Sequence, residues 1–170
     1  MSKIVALAAA MGIVAAPAFA QQTKNTAEAN FTDRSGTEAG RAHLTASPEG
    51  VLFEMEVSGL APRKWVALHI HEKGVCDRAD GYKSAGGHFN PDERKHGIAS
   101  ADGPHAGDLP NQYVGDDGVL RAQIHSGMVR LDDAERGIRG RALVVHAGSD
   151  DYRTDPAGGA GERIACAVIK

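Results

Sequence analysis

Gly50-Val51-Leu52-Phe53-Glu54-Met55-Glu56-Val57-Ser58 alternates without a break: Val51, Phe53, Met55 and Val57 fall on one face, Leu52, Glu54, Glu56 and Ser58 on the other. Successive side chains of a strand point to opposite faces, so this is the pattern of a half-buried β-strand. The same rhythm recurs at similar length in residues 26–32, 40–45, 65–71, 119–125, 140–146 and 164–169. Between them, Asp33-Arg34-Ser35-Gly36 and Ser47-Pro48-Glu49-Gly50 are good turn sequences. No long stretch of 3.6-residue apolar period competes, and there is no internal repeat or low-complexity tract. The expectation is an all-β chain with little helix, an antiparallel sandwich or flattened barrel.

Composition narrows the function classes. A chain of 170 residues with 42% hydrophobic and 24% charged content suits one ordinary soluble domain and excludes collagenous, wholly disordered and multi-span membrane classes. Nineteen Lys and Arg against 22 Asp and Glu leave a net charge of -3. That balance lacks the basic excess of nucleic-acid or anionic-membrane binders, so neither partner is expected. With 21 Gly and only 5% aromatic residues, many turns and a stabiliser other than aromatic packing are expected; the two cysteines and eight histidines are the candidates.

Residues 1–20 read as a cleaved secretory signal: Lys3 supplies the positive start, 4–15 is apolar apart from Gly12, and Ala18-Phe19-Ala20 suits signal peptidase. The apolar run is shorter than the roughly 20 residues of a spanning helix, so stable membrane association is not expected. The functional domain is then 21–170, exported, with the periplasm favoured over full secretion. In an oxidising compartment a lone cysteine pair reads as one disulfide, Cys76 to Cys166, since no Cys-x-x-Cys is present. Closing so long a loop stabilises by at most about 4 to 5 kcal/mol in the chain-entropy account.

Residues 76–115 break the strand rhythm: they are rich in Gly, Asp, His and Pro and lack apolar periodicity. Roughly forty residues without regular structure are unusual in a compact domain and point to function. Just before them, alternation sets Val66, Leu68 and Ile70 on one face and Trp65, Ala67, His69 and His71 on the other, so two imidazoles stand side by side. His-x-His alone also occurs in zinc hydrolases, in cupins and on solvent-facing strands. Here His71-Glu72-Lys73-Gly74 is not the metallo-hydrolase continuation, and Val75 or Cys76 stands where a cupin places glutamate. Within the loop, His88, His96, His105 and Asp108 are spaced so that a folded loop can wrap three imidazoles and a carboxylate around one tetrahedral ion. That donor set with no open position suits structural zinc. His146 ends an apolar strand from which it could reach the His69/His71 pair, and an all-nitrogen strand-held site suits Cu(II).

Six motifs then carry a specific resemblance: His69-Ile70-His71-Glu72, Ser84-Ala85-Gly86-Gly87-His88-Phe89-Asn90-Pro91, Lys95-His96-Gly97, Pro104-His105-Ala106-Gly107-Asp108-Leu109-Pro110-Asn111, Gly140-Arg141-Ala142-Leu143-Val144-Val145-His146-Ala147-Gly148 and Gly161-Glu162-Arg163-Ile164-Ala165-Cys166. In this order the chain resembles the copper/zinc superoxide dismutase family, in its bacterial exported type, over nearly the whole mature length. The resemblance implies a Greek-key β-sandwich with long metal-binding and substrate-guiding loops, and one copper and one zinc ion per chain. It implies copper on His69, His71, His88 and His146, zinc on His88, His96, His105 and Asp108, and His88 bridging the two. Asp150 would link His69 to His96, Arg163 would guide and hold the anion, and Cys76–Cys166 would tie the metal loop to the last strand. The implied reaction converts two superoxide anions to dioxygen and hydrogen peroxide by alternate reduction and reoxidation of copper, His88 releasing copper and taking a proton.

Some segments depart from the family. After His146, residues 150–161 offer only Arg153 against Asp150, Asp151 and Asp155, where eukaryotic members have a longer lysine-bearing loop, so that segment is expected to steer an anion weakly. The stretch between Cys76 and His88 is longer and carries Asp77, Arg78, Asp80 and Lys83, as in bacterial exported forms, and Ala167 replaces a common glycine. A homodimer is one assembly the family allows. His43 and His125 read as solvent-side histidines, Trp65 as a packing residue beside the site, and 132–135 as a solvated acidic loop. The competing functional class is a non-catalytic copper/zinc-binding or copper-buffering sandwich, which needs neither an anion guide nor a shared imidazole.

Overall fold

The alternating 50–58 stretch folds as β3 (Gly50–Val57), flanked by β2 (Glu38–Ser47) and β7 (Leu120–Ser126). Val51, Phe53 and Val57 are withdrawn from solvent completely and Met55 nearly so, while Glu56 is exposed. Burying each such side chain stabilises by roughly 1.5–3 kcal/mol, which fixes the register of the strand, because a one-residue slip would turn every one of them outward. That register pairs Phe53 with Leu44 of β2 and Ile124 of β7.

The computed structural model describes residues 25–170; the signal sequence expected at 1–20 lies outside the described residues. The remaining strands are β1 (Thr26–Asp33), β4 (Lys64–Val66), β5 (Leu68–His71), β6 (Gln112–Val114), β8 (Ala142–His146) and β9 (Arg163–Val168). Lys83–Ala85 forms one 3₁₀ turn, the single helical element among the described residues, none of which forms a helix able to cross a membrane. All strand pairings are antiparallel, in the order β4-β6-β7-β3-β2-β1-β9-β8-β5. The last strand, β9, returns beside β1 to give the spatial order β9-β1-β2-β3 of a Greek key.

The expected strand at 65–71 is two strands. β4 pairs with β6 at one end of the sheet, and β5 pairs with β8 at the other. Between them Ala67 donates to the Gly148 carbonyl at 2.8 Å and accepts from the His146 N–H at 2.9 Å, so the chain crosses from one edge to the other and nearly closes the sheet into a barrel. Trp65 therefore does not pack beside the histidines. It is 56% exposed, edge-on to Tyr113 of β6 with ring centroids 5.3 Å apart. The expected loop at 76–115 also contains β6 and the 3₁₀ turn. His43 and His125 lie on the solvent side, as expected.

The loop is pinned at two places. Cys76 and Cys166 form a disulfide across a sequence separation of 90, joining its start to β9. Its middle is pinned by β5, a terminal strand whose outer edge pairs with loop backbone: the Ile70 N–H donates to the Gly107 carbonyl (2.9 Å), and the Ile70 carbonyl accepts from the Phe89 N–H (2.8 Å). This sets His71 opposite His88 and His69 opposite Asp108.

Candidate metal centre

β5 is buried on both faces, so His69 and His71 are wholly withdrawn from water, with His96, His146, His88, His105 and Asp108 almost as deep. A buried imidazole needs a partner for each ring nitrogen. The outward nitrogens have theirs. His69 Nε2 and His96 Nε2 each meet a different oxygen of Asp150 at 3.0 Å, His71 Nδ1 the Gly86 carbonyl at 3.0 Å and His146 Nδ1 the Gly161 carbonyl at 3.3 Å.

The inward nitrogens have none. His69 Nδ1, His71 Nε2, His88 Nε2, His96 Nδ1, His105 Nδ1 and His146 Nε2 are buried without a hydrogen-bond partner. They fall into two groups, His69, His71, His88 and His146, and His88, His96, His105 and Asp108, each with its donor atoms within 4.8 Å of one another. Asp108 Oδ1 lies 2.8, 3.1 and 3.3 Å from Nδ1 of His88, His96 and His105. A tetrahedral ion with bonds of about 2.0 Å has ligand-to-ligand edges of about 3.3 Å, so this group is sized for zinc. An unpaired buried polar atom costs about 1–3 kcal/mol, and one cation per group would satisfy all six nitrogens at once.

Protonation suits ligation. Burial is the main cause that pushes His71 down to about 2, His88 to about 4 and His146 to about 3, so these imidazoles are neutral at neutral pH. Burial raises the Asp108 carboxyl, but the His105 and His88 rings beside it and the Gly97 N–H outweigh that and hold the group ionised. Its other oxygen, Oδ2, accepts from the Gly97 and His105 N–H groups at 2.9 and 3.0 Å.

Asp150 links one histidine of each group, and its side chain is fully buried. Two neighbours hold it. Asn111 Nδ2 donates to the Asp150 carbonyl and Asn111 Oδ1 accepts from the Asp150 N–H, both at 2.8 Å, and the Tyr152 N–H donates to Oδ1 at 2.6 Å. Gly158, at φ +63°, leans over the carboxylate: a Cβ there would lie 1.8 Å from Oδ1.

Arg163 opens β9, with Nη1 donating to the Tyr82 carbonyl (2.6 Å) and Nη2 to the Gly86 carbonyl (2.7 Å). The Gly86 oxygen thus serves both His71 and Arg163. Gly86 sits at φ 76°, ψ -155°, a backbone conformation that favours glycine. The guanidinium lowers the pKa of both His71 and His146, placing its charge against the first group. It also lines a surface hollow of about 570 Å³ with Arg34, Lys83, Asp80 and Glu162. Positive charge beside Arg163 thus comes from the β1–β2 turn and the 3₁₀ turn rather than from 150–161.

Every residue expected in the site is therefore brought together: the two groups sharing His88, with Asp150 between them, Arg163 beside them and the disulfide nearby. Sequence reasoning gave no role to Asn111, Tyr82, Gly86 or Arg34. Asn111 and Gly86 stand inside quoted motifs, which was the available signal.

A family model described as copper/zinc superoxide dismutase (SODC) matches residues 38–169. The chain is 45% identical over 155 residues to superoxide dismutase (Cu-Zn) 1 of Aquifex aeolicus (strain VF5), covering 89% of this chain and 90% of that protein. Among solved structures it resembles a SOD-like protein from Bacillus subtilis (TM-score 0.79, 35% identity, 82% of this chain and 95% of that one). It also resembles Cu/Zn superoxide dismutase from Brucella abortus (TM-score 0.71, 29% identity, 85% and 99%). With the strand order, the two donor groups and these likenesses in agreement, the chain belongs to the copper/zinc superoxide dismutase family.

Proposed function

We propose that the protein is an exported superoxide dismutase that takes copper on His69, His71, His88 and His146 and zinc on His88, His96, His105 and Asp108, one of each per chain. The observation that carries this reading is the pair of four-donor groups sharing one imidazole, with buried nitrogens aimed inward and unpartnered. When bound, copper supplies a one-electron couple and zinc a fixed, redox-inert charge.

The chain's own residues do the rest. Two superoxide anions and two protons give dioxygen and hydrogen peroxide, so the protein must hold an anion and deliver protons. Arg163 holds the anion: two of its N–H donors are taken by the Tyr82 and Gly86 carbonyls, which fix the guanidinium plane, and the others are left for the substrate. Arg34 and Lys83 add positive charge to the hollow that Arg163 lines, against Asp80 and Glu162. His88 Nε2 takes a proton and gives it up to the reduced substrate, while Nδ1 stays on the Asp108 side. Asp150 fixes which nitrogen of His69 and of His96 carries hydrogen, leaving the other as donor to the ion. Export is supported by residues 1–20 and by the disulfide.

The test is superoxide decay after pulse radiolysis, on disulfide-intact mature protein carrying one copper and one zinc. Fast decay that vanishes when copper is removed is expected. Decay no faster than buffer with both metals in place would refute the activity and leave a metal-binding module. His146→Ala should lose copper and activity but keep zinc.

A further inference from the structure

Tyr82 is completely buried, yet it is not part of the main core. Its ring centres a small separate cluster with Ala85, Ala142, Val144 and Cys166. Its backbone is left-handed (φ 66°, ψ 17°), a conformation that costs free energy for a residue with a Cβ and persists only where the surroundings hold it. Beyond the burial of the ring, the hydroxyl ties it down, reaching the Thr32 carbonyl at 2.9 Å and the Asp33 carbonyl at 2.5 Å. At the other end of the same residue, the carbonyl accepts from Arg163 Nη1 at 2.6 Å.

These contacts close a circuit. Thr32 and Asp33 of β1 pair with Cys166 and Ala165 of β9, and Arg163 is the first residue of β9. The strand that carries the guanidinium is therefore the strand against which Tyr82 braces, by way of β1. The disulfide is a second tie between the same two segments, but it enters at Cys76, and the carbonyl that takes Arg163 Nη1 belongs to Tyr82. Between them the chain makes a tight turn closed by Tyr82 N–H to the Asp77 carbonyl at 2.8 Å.

We infer that Tyr82 is the positioning residue for Arg163, its hydroxyl, more than the disulfide, holding the carbonyl that orients the guanidinium for the anion. This rests on the reading of Arg163 as the anion holder.

The test uses Tyr82→Phe in the holoprotein, which keeps the ring and removes only the hydroxyl. In the diamagnetic Cu(I), zinc form, nitrogen NMR reads rotation of the Arg163 guanidinium, its signals assigned with Arg163→Lys. Slow, separate Nη–H signals are expected in the parent and averaged ones in Tyr82→Phe. In the Cu(II) form, azide serves as a small monoanionic probe, and its dissociation constant should rise about three- to tenfold in Tyr82→Phe at unchanged copper and zinc content, the weight of one lost hydrogen bond. Unchanged Nη–H signals and azide affinity would overturn the inference. Should Tyr82→Phe not fold, disulfide reduction in the parent protein decides: the slow signals should persist, and averaging there would assign the anchoring to Cys76–Cys166 and overturn it. Arg163→Ala separates the two readings. If it leaves azide affinity unchanged, the anion role of Arg163 fails, while the NMR signals still report on Tyr82.

Discussion

Replacing Asp150 by asparagine should weaken the two metal groups unequally. Oδ1 serves two donors, Tyr152 N–H at 2.6 Å and His96 Nε2–H at 3.0 Å, and Oδ2 serves one, His69 Nε2–H at 3.0 Å. An amide has one accepting oxygen, and the lower-energy orientation puts it at Oδ1, where it keeps two hydrogen bonds. The NH₂ then faces the His69 N–H, donor against donor, with both side chains fully buried. His69 cannot escape by changing tautomer, because Nδ1 is the nitrogen aimed at its group. Loss of such a supporting acceptor lowers metal affinity about 10- to 100-fold, or about 1.4–2.8 kcal/mol. Copper affinity should fall by that factor and zinc affinity by less than about threefold. Competition titration of each metal against a chromophoric chelator gives both numbers. Equal losses, or a larger loss of zinc, would refute the assignment of the amide orientation; no loss of either metal would refute the orienting role of Asp150.

Three more outcomes are expected. In metal-free protein, His71, His88 and His146 have native pKa values below the ordinary 6.5, so the unfolded chain binds protons the native chain does not. Stability is then full above about pH 6.5 and falls as pH drops toward about 4, by up to about 1.4 kcal/mol per pH unit for each histidine; a flat urea-unfolding profile between pH 7 and 5 would contradict this. Exchanging Cys76 and Cys166 for serine should lower the unfolding free energy by up to about 4–5 kcal/mol in urea titrations, and a loss under about 1 kcal/mol would mean that the loop is already closed in the unfolded chain. Gly158→Ala and Gly159→Ala share a φ of +63°, but only at 158 does the new Cβ strike Asp150. Gly159→Ala should cost only the backbone strain, about 1–2 kcal/mol, whereas Gly158→Ala should cost more and also release zinc; equal effects would mean that the carboxylate yields freely.

Much of this architecture is legible in the sequence because the physics behind it is periodic. β1, β2, β3, β7, β8 and β9 lie where alternation places them, since each buries one face in a common core. β6 is three residues long, too short for a period to show, and the break at Ala67 is set by which strands β4 and β5 find as partners, which no local pattern records. Trp65 shares the parity of His69 and still ends up facing solvent, for that reason. The metal-group residues stand out because ligation demands particular side chains. Tyr82 and Gly86 act through carbonyls that every residue possesses, so their identity says nothing of the bond they make. Arg34 is brought to Arg163 only by the fold, its Nη1 lying 3.3 Å from the Arg163 carbonyl.

The placement of β5 at the margin of the sheet has a consequence for solubility. A bare strand margin is a template on which other chains can add. Here the segments around Phe89 and Gly107 occupy it with backbone hydrogen bonds, so the loop that carries His88, His105 and Asp108 also serves as a cover against self-association. Cations that hold the loop together would at the same time keep that cover closed, making metal content a determinant of how long the protein stays monodisperse at high concentration.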